Sequence, residues 1–253
     1  MPPLCLHLSI AQEAAGLLRH PIIDQNLGSY LTGATSPDVH ILTGTSRKET
    51  HFVDLEEEML DSGTTLIFKA HPNLAKENKL DPATKSFVAG YLSHLVTDEV
   101  WILDIYRPYF GNSSLLSGDP MANMLDRLLQ FELDRWERED RAKMEAIRDQ
   151  ICGWEPAVDI DFIAPAVLRQ WQDFICAAAA RESSLAFFPF FAQRFLLPRQ
   201  KIDAEQLGPF LSSMPAKLDW TIQYVTPQRL TAFREKAISQ SVATVREYLV
   251  EDN

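Results

Sequence analysis

The sequence predicts an all-α fold, built as a multi-helical bundle, on three observations. Apolar residues recur at three- and four-residue spacing through most of the chain. No stretch alternates apolar and polar residues in the manner of paired strands, and no Asn-Gly type dipeptide joins two apolar runs. Proline and glycine fall mostly between the periodic segments, where they start and stop helices.

In chain order, Leu8 to Arg19 carries a helical apolar stripe closed by Pro21, and Ile22 to Leu31 forms a second short helix stopped by Gly33. Residues Gly33 to Glu49 are rich in Gly, Ser, Thr and Pro and read as an ordered, functional loop. Shorter helices are expected near Leu55 to Leu60 and Thr64 to Lys69, with a connection over Pro72 to Pro82. Asp81-Pro82 is a good helix start, and its helix runs to about Ile105, before Arg107-Pro108. Gly111 to Asp119 is a second loop. Met121 to Gln150 is the longest periodic segment, with a sign-mixed solvated face. Further helices are expected near Ala164 to Arg181, Ala186 to Leu197, Ala204 to Ser213 and Pro227 to Val250. The expected organisation is one helical domain, 1–253, with the chemistry in 1–150 and a helical C-terminal part, 151–253, that can form a subdomain.

The chain has 253 residues, of which 46% are hydrophobic and 23% charged, enough to bury a sizeable core. No apolar run approaches the ~18 residues that cross a bilayer, and the start has no signal-peptide pattern, so a cytoplasmic protein is expected. Cys5, Cys152 and Cys176 are widely spaced, and reduced, buried thiols are expected. A net charge of -11 argues against stable nucleic-acid binding or an anionic membrane, but not against a phosphate-bearing small molecule held through metal.

All six histidines, His7, His20, His40, His51, His71 and His94, lie in the first 94 residues. His94 and Asp98 are four apart on one apolar helix face, where each costs desolvation energy unless paired or ligated. Asp38, after Pro37, taken alone reads as a turn former, and His51, before Phe52, as a packed helix start. Jointly Asp38, His51, His94 and Asp98 make a sensible zinc or manganese set, with His7 a fifth member. His40 reads as a partner behind the ligands or an alternative ligand, and His20 as a helix-end cap beside Pro21. The run Phe187-Phe188-Pro189-Phe190-Phe191 reads as core ahead of a lipid contact.

In order, Gly33-Ala34-x-Ser36-Pro37-Asp38, Arg47-x-x-Thr50-His51-Phe52 and Gly90-Tyr91-Leu92-x-His94-x-x-x-Asp98 resemble the zinc-dependent phospholipase C family, an all-helical fold shared with single-strand nucleases. The resemblance covers about residues 4 to 105. It implies a phosphoesterase using metal-activated water, on a lipid headgroup or other phosphate-bearing small molecule. It implies one zinc held by Asp38, His51, His94 and Asp98, with Asp98 bridging to a second that takes His7. Asp38 would also act catalytically by orienting or deprotonating the water. Arg47 would meet a phosphate oxygen, although its plainer reading is a surface cation. From its place just past the metal helix, Tyr106 reads either as lining a pocket mouth or as closing the core. The family's further metal needs histidines beyond the helix aspartate. Here Asp104 stands at the first such position and no histidine follows His94. Asp126 and Glu132 are substitutes that read more simply as helix charges, so one or two zinc ions fit better than three. The competing reading is a helical interaction protein with a structural or vestigial metal site.

Overall fold

The structure, a computed structural model, describes residues 3–53, 62–75, 79–181, 185–196 and 204–250. The described residues are almost all helical, with no strand among them. The helices are α1 (Leu4–Leu18), α2 (Pro21–Gln25), α3 (Leu27–Gly33), α4 (His40–Thr43), α5 (Arg47–His51), α6 (Gly63–Ala70), α7 (Pro82–Trp101), α8 (Arg107–Tyr109), α9 (Ala122–Glu139), α10 (Arg141–Cys152), α11 (Pro165–Ala179), α12 (Phe188–Phe191), α13 (Ala204–Ser212), α14 (Met214–Val225) and α15 (Pro227–Leu249). The helix expected near Leu55 to Leu60 lies outside the described residues.

The molecule is laid out around α7. Asp81 starts it by accepting from the backbone N–H groups of Ala83 and Thr84, with Pro82 in its first turn. From Thr84 to Asp98 every side chain is buried, so this helix has neighbours on all sides rather than one apolar stripe. Its main partners are α3 and α15. Against α3 the approach is backbone to backbone: a Cβ on Gly90 would lie 1.9 Å from the Tyr30 carbonyl oxygen, and one on Gly33 would lie 2.1 Å from that of Phe87. Only glycine permits that crossing. At its far end α7 widens into a π turn over Ile102–Tyr106 before α8. The wider turn fits the sequence, because Pro108 has no N–H and would collide with a carbonyl four residues back in a regular helix.

Two apolar clusters divide along α7. One joins Phe87, Tyr91 and Leu95 to Leu8, Tyr30, Ile151, Trp171 and Val245, and the other joins Val96, Val100 and Trp101 to Leu128, Phe188, Val225 and Phe233. The C-terminal helices thus supply part of each core.

Several expectations are corrected. Gly33 to Glu49 is not one loop: it holds a 3-10 turn over Ser36–Val39, then α4, then the start of α5. Met121 to Gln150 is two helices, broken at Asp140, whose carboxylate caps α10 through the Lys143 N–H. Helix α14 was not anticipated at all. Cys152 and Cys176 form a disulfide joining α10 to α11, so only Cys5 is a free, buried thiol. His20 caps a helix start, accepting from the Ile22 N–H at 3.3 Å, and not carbonyls at a helix end. In the phenylalanine run only Phe188 is fully buried, while Phe187 and Phe190 are exposed. No helix among the described residues is long and apolar enough to cross a membrane.

Candidate metal centre

Three separate pieces of chain bring the candidate ligands together. Asp38 sits on the 3-10 turn after α3, which is tied down by the Thr35 and Ser36 hydroxyls donating to the Thr32 carbonyl and by Trp171 Nε1 donating to Thr35 Oγ1 at 3.2 Å. His51 is the last residue of α5. That helix is only five residues long, too short to form unaided, and is held by a capping box between Ser46 and Glu49. His94 and Asp98 lie one turn apart on α7.

The ligand atoms face one another at 3.2 Å from His51 Nε2 to His94 Nε2, 3.2 Å from His51 Nε2 to Asp98 Oδ2, 3.4 Å from His94 Nε2 to Asp98 Oδ2, and 3.5 Å from His51 Nε2 to Asp38 Oδ1. Asp38, His51 and His94 each offer a ligand atom within 4.8 Å of the others. For bonds of about 2.0–2.1 Å, the edge of a tetrahedron around zinc is about 3.3–3.4 Å. Three of these distances close a triangle of His51 Nε2, His94 Nε2 and Asp98 Oδ2 at tetrahedral edge length, and the fourth ties Asp38 Oδ1 to His51. The atoms gathered within 4.8 Å form two overlapping groups, His7–His94–Asp98 and Asp38–His51–His94.

The far sides of the rings settle which nitrogens are bare. His94 Nδ1 lies 2.9 Å from the Ala34 carbonyl oxygen, which can only accept, so the proton sits on Nδ1 and Nε2 carries a lone pair. His51 Nδ1 lies 3.2 Å from Thr50 Oγ1, whose own proton is donated to the Arg47 carbonyl, so this ring is likewise protonated on Nδ1. Two bare nitrogens then point at each other across 3.2 Å beside two carboxylates. That arrangement calls for a cation between them, a metal ion or a shared proton. The backing bonds are those that orient metal-bound imidazoles.

His7, on α1, meets the other oxygen of Asp98: Nε2 is 3.3 Å from Oδ1. His7 Nδ1, His7 Nε2 and Asp98 Oδ1 are all buried without a hydrogen-bond partner. The His7 ring stacks on His94 at 3.8 Å, with 8° between planes. His7, His94 and Asp98 gather ligand atoms within 4.8 Å, but stacked rings keep their in-plane lone pairs in two separate parallel planes, so the two imidazoles do not converge on one ion. His7 and Asp98 Oδ1 instead face a second position, with Asp98 as the bridge.

Electrostatics follow from burial and proximity. Burial alone would raise both carboxyls, but the adjacent His51 ring and the charge of His94 hold Asp38 well below the usual carboxylate range. The His94 charge, with the His51 and His7 rings close by, does the same for Asp98. Burial disfavours the charged form of His94, yet Asp98 outweighs it and the net shift is upward. Burial and the neighbouring His94 bring His7 down to about 4.

The remaining candidates fall differently. Arg47 is not a surface cation: its Nη2 donates to Asp98 Oδ2 at 3.0 Å, and its side chain is 19% exposed. His40 stands behind the ligands, edge-on to the His51 ring at 5.4 Å, with Nδ1 3.1 Å from the Pro37 carbonyl. Asp104 is not brought to the centre; it pairs with Lys236 at 2.8 Å. Tyr106 donates to Asn123 Oδ1 at 2.8 Å. Asp126 accepts from Trp101 and Gln130, and Glu132 from Arg135 and Trp136, so neither replaces the missing histidines. Sequence reading missed Thr50, the Ala34 carbonyl and Tyr91, whose hydroxyl donates to the Thr50 carbonyl. All three stand in the motifs around Asp38, His51 and His94, which marked their segments without giving these residues a role.

Comparison of the chain with family models, curated proteins and solved structures gives no match.

Proposed function

We propose that the protein is a zinc-dependent phosphoesterase that hydrolyses a phosphodiester or phosphomonoester of a small molecule or lipid headgroup. The observation that carries this reading is the convergence of His51 Nε2, His94 Nε2 and Asp98 Oδ2 at tetrahedral edge length, with Asp38 Oδ1 3.5 Å from His51 Nε2. Two imidazoles and two carboxylates suit zinc. When bound, such an ion acidifies water to a pKa near 7 and neutralises phosphoryl oxygens. The chain's own residues supply the rest. Asp38, the most open of the four at 17% exposure, turns Oδ1 to His51 and leaves Oδ2 to orient a water or take its proton. Arg47 holds Asp98 and lines with it and His51 the small cleft beside the ligands, bringing positive charge to the side from which a phosphate would approach. The order of the three motifs supports phosphorus as the centre attacked. The Cys152–Cys176 disulfide favours an oxidising compartment over the cytoplasm for such an enzyme.

A second reading, a structural ion without catalysis, is favoured by two observations. Four protein ligands close a tetrahedral site. The cleft that reaches the ligands, between Arg47, His51, Asp98 and Glu99, is about 10 Å³, the space of roughly one water.

Elemental analysis of the purified chain, paired with turnover of bis(4-nitrophenyl) phosphate before and after chelation, separates the two. The phosphoesterase reading expects zinc and chelator-sensitive hydrolysis, both lost in His94→Ala and Asp98→Ala. Zinc without turnover on a broad phosphoester panel supports the structural ion. Absence of any transition metal removes both.

A further inference from the structure

Single exposed leucines are ordinary on a protein surface, but Leu115 is 91% exposed and is held out by an ordered loop. That loop, between α8 and α9, is a run of turns. The Ser114 N–H donates to the Gly111 carbonyl, the Ser117 N–H to that of Ser114 and the Asp119 N–H to that of Leu116, while the Leu116 N–H donates to Ser114 Oγ. Leu116 packs against the second apolar cluster. The loop is therefore folded with one leucine in and the next one out.

Beside it lies an aromatic ledge. The hydroxyl of Tyr224 on α14 lies against the backbone of Leu115. The Tyr224 ring stacks on that of Trp220, one turn earlier, at 4.9 Å with 12° between planes, and Tyr109 of α8 meets it edge-on at 5.4 Å. Tyr109 and Tyr224 lean on the second cluster, whereas Trp220 is 45% exposed. Tryptophan and tyrosine, apolar rings with a polar tip, favour the level where an apolar phase meets water.

Charge and size select the occupant. Of the whole chain 23% is charged, with a net charge of -11, yet residues 108–118 and 220–228, which make the loop and the ledge, contain no Asp, Glu, Lys or Arg. A net-neutral lipid surface asks for no basic residue and does not repel an acidic protein, whereas an anionic one does. A stable protein partner covers about 800 Å² on each side. One projecting leucine and one half-exposed tryptophan, at about 150–250 Å² for the larger ring, supply far less. Membrane binding has no such threshold, because it scales with the apolar area buried.

We propose that this loop and ledge form a docking surface for a net-neutral, zwitterionic lipid membrane, with Leu115 entering the acyl region and Trp220 and Tyr224 at the headgroup level. The proposal goes beyond the phosphoesterase reading and does not depend on the metal centre.

The test is flotation of the intact chain with vesicles of phosphatidylcholine alone, and with vesicles of phosphatidylcholine and phosphatidylserine. Burying one leucine side chain is worth about ten- to a hundredfold in partition. Leu115→Ser is thus expected to weaken binding to phosphatidylcholine at least about tenfold, with melting temperature retained. Trp220→Ala weakens it by a similar factor, and Leu17→Ser, which removes another exposed leucine on α1, leaves it unchanged. No flotation with phosphatidylcholine, binding that requires phosphatidylserine, or Leu115→Ser and Trp220→Ala proteins that float like the wild type would overturn the proposal. A change of oligomeric state in Leu115→Ser without a change in flotation assigns the leucine to a protein contact, and overturns it as well. None of these readings involves turnover, so failure of the docking surface and failure of the phosphoesterase reading are separate results.

Discussion

His94 has one proton to place on two nitrogens, and its surroundings decide where it goes. The Ala34 carbonyl takes Nδ1–H, so Nε2 is left bare toward His51 and Asp98. In metal-free protein the raised pKa of His94 describes the cost of that arrangement: Asp98 retains a second proton on the ring against burial. The stability this gives is full below the ordinary histidine value of 6.5 and is lost as pH rises through the folded value. His7 runs the other way. Its folded value of about 4 lies below 6.5, so between those limits the unfolded chain binds a proton that the folded chain does not. Stability therefore falls as pH drops through that window, by about 3 kcal/mol at most. Asp38 and Asp98, both depressed, contribute above the ordinary carboxylate range and lose that contribution only as pH falls through their folded values. The metal-free protein is thus expected to melt highest near pH ~6.5 and lower on either side. Zinc replaces the His94 proton, so the rise in melting temperature on adding zinc grows from about pH 6 to pH 8. Calorimetry across that range checks both; a zinc effect independent of pH contradicts the assigned protonation.

At the scale of elements, the helix pair α3 and α7 sets the site. Gly33 and Gly90 let the two backbones touch, and that contact puts the Ala34 carbonyl against His94 and the turn bearing Asp38 beside α7. A methyl group at Gly90 would meet the Tyr30 carbonyl at 1.9 Å, with backbone rather than a flexible side chain in the way. Gly90→Ala is expected to cost about 3 kcal/mol, the upper end of overpacking penalties, and to weaken zinc binding at the same time. Gly208→Ala, with open space at its Cβ, is the matched control. Chemical denaturation read alongside zinc titration tests this, and an unaffected Gly90→Ala protein would show that the crossing does not position the site. The same two elements show what sequence makes legible. The His-x-x-x-Asp pair was readable because helix period alone puts His94 and Asp98 on one face. The crossing was not, because a glycine inside a helix is silent about which backbone it touches. Helix α5 was hidden for a similar reason: its cap is local, but its five residues are held against the 3-10 turn that bears Asp38 and by Tyr91 of α7.

Across the whole molecule, ligands from residues 38, 51, 94 and 98 meet because helices near both ends of the chain surround α7. Arg234 on α15 bonds Glu13 on α1 at 2.7 Å and Glu137 on α9 at 3.0 Å, and Lys143 on α10 reaches the same Glu137 at 2.7 Å. This network fixes α1, and with it His7, from more than 200 residues away in sequence. The helical class and four of the convergent side chains were legible because both rest on periodicity and residue chemistry. The Cys152–Cys176 link, the break at Asp140, helix α14 and the pairing of Asp104 with Lys236 were not, since each depends on which distant element lies alongside. The most direct test of the account is anomalous diffraction at the zinc edge from a crystal of the intact chain. The account predicts a peak about 2.0–2.2 Å from Asp38 Oδ1, His51 Nε2, His94 Nε2 and Asp98 Oδ2. Saturating zinc with no peak among those four atoms, or a peak ligated elsewhere, would contradict it.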